Sequence, residues 1–257
     1  MRSKHMCLFF VGTAGCGKTT ACGSFSAFLT ERNIEHAVIN LDPGAIHLPY
    51  NCELDVREWI DINAIMEEHQ LGPNGAQVLA ADLVAMDAKK LAGFVDERAS
   101  PLYLFDTPGQ LELFAFRPSS KHLVETIGRD NTLMSFLHDA VISRDARNFI
   151  SQMMLYHSAE LRLQTAGIHL LSKSDLVDEK TVERILSWTN NPEIMDSQLE
   201  DVADDPTYPL ARQMLSAMEM GMVSASLIPW SAYDHSGMEK MLSLIENIAG
   251  WDSEDSF

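Results

Sequence analysis

The sequence predicts a three-layer α/β fold, with a mostly parallel central sheet and helices on both faces. Three observations predict it. Short apolar runs alternate with longer stretches of helical period, the pattern of repeated strand–helix–strand units. A glycine-rich segment joins the first apolar run to the first helical stretch. Later apolar runs deliver carboxylates, at Asp42, Asp106 and Asp175, to their carboxyl ends. In open parallel sheets that is the edge where ligands bind.

Cys7-Leu8-Phe9-Phe10-Val11 reads as the first strand, and the chain from Lys18 to about Glu31 as the first helix, with Phe25, Phe28 and Leu29 on one face. Between them Gly12-Thr13-Ala14-Gly15-Cys16-Gly17-Lys18-Thr19-Thr20 fits G-x-x-x-x-G-K-[ST], the phosphate-binding P-loop. Its glycines let backbone N–H groups converge on one point, and the helix dipole favours an anion there. Lys18 then reaches the β- and γ-phosphates, and Thr19 ligates Mg²⁺. The predicted architecture is thus the P-loop NTPase fold.

His36-Ala37-Val38-Ile39-Asn40-Leu41 is the second strand, closing a parallel, right-handed unit. Asp42-Pro43-Gly44 follows. From position alone Asp42 is equally a turn aspartate and a carboxylate that orients water or holds a Mg²⁺-bound water. Helical period runs from Asp55 to His69, through Trp59, Ile62, Ile65 and Met66, and again from Ala76 to Phe94. Gly72-Pro73-Asn74-Gly75 between them reads as a tight loop, to which physics alone assigns no function.

Pro101-Leu102-Tyr103-Leu104-Phe105 is a strand that delivers Asp106-Thr107-Pro108-Gly109-Gln110. Asp106 stands where a carboxylate holds Mg²⁺ through water. Gly109 lets its N–H approach a γ-phosphate closely, and Gln110 either orients water or caps the next segment. Thr132–Leu137 and Ile168–Leu171 are further strands, with a helix over 145–164 whose Met and aromatic stripe is read as core. Ser172-Lys173-Ser174-Asp175 is close to N-K-x-D, the guanine-reading sequence of GTPases. A carboxylate there accepts from both N1–H and the exocyclic amine of guanine, which adenine does not offer in that arrangement. The Lys173 stem can lie over the base. Ser172 replaces the usual asparagine and gives up amide reach. Thr181–Trp188 is helical, and 193–209 reads as an acidic, solvated loop containing Glu200, Asp201, Asp204 and Asp205. A short Met-rich helix over 210–220, a strand over Ser226–Trp230 and a helix over Met238–Ala249 complete the chain, before an acidic tail that frays.

The chain has 257 residues, 46% of them apolar, enough for a sizeable core in one domain. That domain carries helical insertions over 51–98, 119–165 and 180–225, and residues 1–5 are set aside as a native extension or a cloning remnant. No apolar run reaches the roughly 18 residues of a membrane span, and the first apolar run leads straight into the P-loop rather than forming a signal peptide. A net charge of −18 argues against non-specific binding to nucleic acid or anionic membrane. The four cysteines, Cys7, Cys16, Cys22 and Cys52, form no CxxC, so a reduced, cytoplasmic protein without a disulfide framework or zinc site is expected.

Five motifs in this order, the P-loop, Leu41-Asp42-Pro43-Gly44 with Leu48-Pro49-Tyr50, Gly72-Pro73-Asn74-Gly75-Ala76, Asp106-Thr107-Pro108-Gly109-Gln110-Leu111-Glu112 and Lys173-Ser174-Asp175, resemble the GPN-loop GTPase family over nearly the whole length. The resemblance implies a homodimer in which Asn74 reaches the partner's γ-phosphate region. It assigns Asp42 to Mg²⁺ and the attacking water, and makes Ser231-Ala232 a backbone contact to the base. It implies GTP hydrolysis with Mg²⁺, in which Lys18, Asp42, Gln110 and Asn74 supply charge and orientation, GTP and GDP being substrate and product. Eukaryotic relatives are linked to RNA polymerase assembly.

Three rivals stand beside this reading. ATP-using partitioning or targeting proteins carry a second lysine early in the loop, where this chain has Thr13, and they lack K-x-D at this strand. A kinase needs an Arg-rich lid, and Lys121, Arg129, Arg144, Arg147 and Arg162 are dispersed. A nucleotide-gated assembly factor uses hydrolysis only to reset its shape.

Overall fold

The structure is a computed structural model that describes residues 5–98, 100–200, 203–221 and 226–251. Among the described residues seven strands form one sheet, β1 (Met6–Gly12), β2 (His36–Asn40), β3 (Leu54–Asp55), β4 (Leu102–Asp106), β5 (Thr132–Asp139), β6 (Ala166–Ser172) and β7 (Leu227–Trp230), in the order β3-β2-β4-β1-β5-β6-β7. Every pairing is parallel. The sheet is therefore parallel throughout rather than mostly so. β1 lies between β4 and β5, with Phe10 opposite Asp106 on one side and Ser135 on the other. That register brings the phosphate loop, Asp106 and the end of β5 to one edge.

All seven residues of β1 are buried, because both faces of the strand are covered. Cys7, Phe9 and Val11 point into one layer with the helices between residues 62 and 163, while Met6, Leu8 and Phe10 point into the other with the helices over 18–31 and 238–249. Phe9 stacks on Phe105 of β4 at a centroid separation of 4.3 Å, and Phe114 stacks on Phe9 at 5.5 Å. Such pairs contribute about 0.5–1.5 kcal/mol beyond their buried area. A third core joins the helices between residues 146 and 221 to β6 and β7 around Trp188 and Phe149.

The helices are α1 (Lys18–Glu31), α2 (Ile62–His69), α3 (Pro73–Met86), α4 (Ala88–Glu97), α5 (Leu111–Phe114), α6 (Pro118–Ile127), α7 (Ala146–Leu163), α8 (Glu179–Asn190), α9 (Pro192–Glu200), α10 (Tyr208–Gly221) and α11 (Met238–Ala249). Four differences from the sequence reading have physical causes. The helix expected from Asp55 begins only at Ile62, capped by Asp61, whose carboxylate accepts from the N–H groups of Asn63 and Ala64. Leu54-Asp55 instead forms β3, held by a fork from Arg57 to the Asp55 carboxylate. The helix expected over 76–94 breaks at Asp87, which accepts from Trp59 Nε1 at 2.9 Å. The acidic stretch after Glu193 is not a loop. Met195 and Leu199 lie one turn apart and are buried, so Pro192–Glu200 is helical in spite of its charge. Asp201 and the tail beyond Trp251 lie outside the described residues, as do residues 1–4.

Residues 51–98 carry β3 and the helices from α2 to α4, residues 119–165 carry most of α6, all of β5 and α7, and residues 180–225 carry α8 to α10. The stripe on α7 is core at Phe149, Met153 and Tyr156, whereas Leu161 is 77% exposed. Among the described residues no helix is long and apolar enough to cross a membrane, and the four cysteines are free thiols.

Candidate nucleotide site

The phosphate loop leaves β1 at Gly12 and enters α1 at Lys18. Gly15 and Gly17 have φ of +76° and +99°, a region costly for residues with a Cβ. Gly17 is the N-cap of α1 and offers no side chain there, so the first turn is left open to a ligand. Lys18 is only 4% exposed. Its ammonium donates to the carbonyls of Gly12 at 3.0 Å, Thr13 at 3.1 Å and Gly109 at 2.7 Å. Three donors thus meet three acceptors, as a buried ammonium requires. Ala14, Gly15 and Thr20 lie exposed, with Thr13 and Thr19 half-buried. Cys16 is buried, which pushes its thiol above the usual range and makes it packing rather than a nucleophile.

Asp42 follows β2 and turns back on its own loop. Its Oδ1 accepts from Gly44 N at 2.8 Å, and its Oδ2 accepts from Gly109 N at 3.1 Å. Burial raises its pKa, opposed first by those two N–H groups and then by the Lys18 and Arg57 charges. Asp42 is thus both the turn residue and a carboxylate at the ligand edge. Asp106, at the end of β4, is fully buried. Its Oδ2 accepts from the Tyr50 hydroxyl at 2.6 Å, while Oδ1 has no hydrogen-bond partner among the described residues. Burial pushes this carboxyl up to about 6, against the pull of the Tyr50 and Thr19 hydroxyls. An orphaned, buried carboxylate oxygen beside a threonine hydroxyl fits a hydrated divalent cation. Among the described residues no group of three or more His, Cys, Asp or Glu side chains converges on a metal position. A cation here therefore needs oxygens from Thr19 and from a ligand as well.

Gln110 is exposed and does not cap α5 with its side chain. Asn74 is exposed in the first turn of α3, because helix α3 begins at Pro73 with Gly72 as N-cap. Of the tight loop expected at Gly72-Pro73-Asn74-Gly75 only Gly72 lies outside the helix, because Pro73 suits the first helical position. A Cβ built on Gly44 would lie 3.6 Å from Gln77 Nε2, so the first turns of α3 sit beside the Asp42 turn.

The base-reading candidates gather at the ends of β6 and β7. A cavity of about 150 Å³ is lined by Cys16, Gly17, Thr20 and Ala21 from the phosphate loop and α1, and by Ser172, Lys173, Asp175, Trp230 and Ala232. Lys173, in the left-handed region at φ +58°, donates to Asp139 Oδ2 at 2.5 Å. The Ser172 hydroxyl is not free for a base: it donates to the His138 carbonyl at 3.2 Å. Ser231 is buried, and its Oγ accepts from Tyr233 N and Asp234 N, which shapes the loop that presents Ala232.

Sequence reasoning gave no role to Asp139, Leu176 or Tyr233. Asp139 carried a signal, since it too ends a buried strand as Asp106 does. Leu176 and Tyr233 line the cavity only because β6 and β7 are neighbours, and nothing local marks them.

A family profile described as a conserved hypothetical ATP binding protein matches residues 10–251. The chain is 28% identical to GPN-loop GTPase 1 of Dictyostelium discoideum over 93% of its length, and spans 60% of that protein. It is 27% identical to GPN-loop GTPase 3 of Yarrowia lipolytica, covering 95% of this chain and 92% of that one. The crystal structure of a GTPase in apo form from Pyrococcus abyssi superposes with a TM-score of 0.84 at 30% identity, over 97% of this chain and 99% of that one. Profile, relatives, fold and the five ordered motifs agree: the chain belongs to the GPN-loop GTPase family.

Proposed function

We propose that the protein binds GTP with Mg²⁺ and hydrolyses it to GDP and phosphate, acting as a homodimeric nucleotide-dependent switch in the cytoplasm. The observation that carries this reading is the meeting of Lys18 and Asp42 at one residue, Gly109, on its oxygen and its nitrogen respectively. Those are the groups that a terminal phosphate and its attacking water require. The P-loop N–H groups and Lys18 bind the β- and γ-phosphates, and the Gly109 N–H turns to a γ-oxygen. Asp42 accepts a hydrogen bond from the water and aims it in line. The water oxygen bonds to the γ-phosphorus as the bond from that phosphorus to the β–γ bridging oxygen breaks, GDP leaving with that oxygen and the bond's electron pair, and the water's proton ends on the released phosphate. Thr19 and Asp106 would hold Mg²⁺, which would supply neutralisation of charge on the phosphates. Asp175 accepts from guanine, and the Lys173 stem lies over the base.

Asn74 stands exposed on the first turn of α3, whose outer face also carries Val78 and Met86, 37% and 75% exposed. That supports a second copy docking there and supplying Asn74 in trans. Gln110, exposed at the same edge, assists the water. By family resemblance the switch acts on a protein client such as RNA polymerase assembly machinery, and the net charge of −18 speaks against direct nucleic-acid binding.

Use of ATP is favoured by one observation: the Ser172 hydroxyl is committed to His138, so no side chain at this position reads the base. Calorimetric titration with GTP, GDP and ATP in the presence of Mg²⁺ separates the two. GTP is expected to bind at least tenfold more tightly than ATP, and Asp175→Asn is expected to erase the difference. Equal affinities in the wild type would overturn the guanine reading.

A further inference from the structure

The segment that begins at Asp42 comes back to the site at Tyr50. The Tyr50 hydroxyl donates to Asp106 Oδ2 at 2.6 Å, and the other oxygen of this buried carboxylate has no hydrogen-bond partner among the described residues. A carboxylate turns freely about its last bond unless something holds one oxygen. Tyr50 holds it, and what remains is Oδ1, with the Thr19 hydroxyl beside the carboxylate.

The ring itself is seated by α1. A Cβ on Gly23 would come within 3.1 Å of Tyr50 Cδ1 and 3.5 Å of Tyr50 Cβ. Glycine in a helix interior costs about 1 kcal/mol relative to alanine. Here the missing methyl makes the space that the ring occupies. Segment 42–50 is thereby fastened at both ends, to Gly109 through Asp42 and to Asp106 through Tyr50.

We propose that Tyr50 is a positioning residue for the metal-site carboxylate: its hydroxyl fixes one oxygen of Asp106 and aims the other at the Mg²⁺ position beside Thr19. The same bond makes the seating of segment 42–50 depend on the metal site. This rests on the GTP and Mg²⁺ reading above.

The test follows release of a fluorescent GDP analogue as a function of Mg²⁺, together with Mn²⁺ binding to the GDP complex by electron paramagnetic resonance. Groups that orient a metal's ligands typically change metal affinity by about 10–100-fold when removed. Tyr50→Phe keeps the ring and is expected to need about tenfold more Mg²⁺ to retain GDP, and to bind Mn²⁺ correspondingly more weakly. Its thermal midpoint and its Mg²⁺-free GDP affinity are expected to match the wild type. Gly23→Ala displaces the ring without removing the hydroxyl. It is expected to raise the Mg²⁺ requirement several-fold, about 3–10-fold, while the thermal midpoint holds or rises. A Tyr50→Phe protein with wild-type Mg²⁺ and Mn²⁺ dependence overturns the proposal. So does one that loses thermal stability and Mg²⁺-free affinity together, which would make the hydroxyl merely structural. Wild-type GDP release that ignores Mg²⁺ overturns both this inference and the function on which it rests.

Discussion

Lys18 Nζ donates to the carbonyl oxygen of Gly109 at 2.7 Å, joining groups 91 positions apart in the chain. The N–H of the same glycine donates to Asp42 at 3.1 Å. One residue thus ties the phosphate loop, through Lys18, to the turn at Asp42.

Lys18→Met keeps the length of the side chain and removes its donors. Loss of one preorganised donor at a developing charge typically costs about 10²–10³ in turnover. The variant is expected to hydrolyse GTP at least 100-fold more slowly, as read by phosphate release. Wild-type turnover in this variant would detach Lys18 from the chemistry.

Asn74 makes a different prediction because it is exposed and belongs to a helix start. Asn74→Ala is expected to leave the thermal midpoint unchanged and to reduce turnover about 100-fold. Wild-type specific activity is expected to rise with protein concentration as dimers form, and that rise should vanish in the variant. Activity per molecule that is flat with dilution in the wild type would refute the role in trans.

Acid should destabilise the fold through two buried imidazoles. His138 Nε2 and His169 Nδ1 lie 3.0 Å apart, and the surrounding groups are Tyr156, His157, Phe136 and Phe149, with Glu160 bonded to Tyr156 and His157. Burial holds His169 down to about 3 and His138 well below 6.5. Between those values and 6.5 the unfolded chain takes up protons that the folded one refuses. Stability is therefore full above about pH 6.5 and falls below it, by up to about 1.4 kcal/mol per pH unit for each imidazole. Urea unfolding from pH 7 to 4.5 measures the slope. Replacing both residues, His138→Leu with His169→Leu, is expected to flatten it.

Gly237 sits between β7 and α11 at φ +82°, and a Cβ there would meet the Pro229 carbonyl at 2.2 Å. Gly237→Ala must strain the backbone and displace β7. It is expected to cost about 2–4 kcal/mol, through the left-handed conformation and the clash together. Trp230 of β7 lines the base cavity, so GTP affinity should weaken as well. An unchanged thermal midpoint would show that the junction yields without cost.

The phosphate loop, Asp106 and the Lys173–Asp175 stretch were legible because each pairs a short motif with a strand that local apolar pattern announces. Asp42 was legible as a position and ambiguous as a role, since Asp-Pro-Gly is turn chemistry whether or not a ligand is near. Helix α9 was hidden by its own acidity, the buried Met195 and Leu199 being outnumbered by charge. Strand β3 was hidden by its length: Leu54-Asp55 pairs only with Ile39 and Asn40, and two residues show no period. Tyr50 was legible as part of a motif and Asp139 as the end of a buried strand, but their partners, Asp106 and Lys173, were reached only through space.

By itself the sequence determined the phosphate loop, the parallel α/β class and the order of the carboxylates along the chain, because those depend on spacing within a few residues. The tertiary structure decided what each carboxylate touches. Asp106 meets Tyr50, Asp42 meets Gly109, and the Ser172 hydroxyl is spent on His138 rather than offered to a base. These pairings follow from a sheet order in which β4 lies between β1 and β2 and β5 lies between β1 and β6. No local period encodes that order, since it is chosen by how the two layers of helices close over both faces at once.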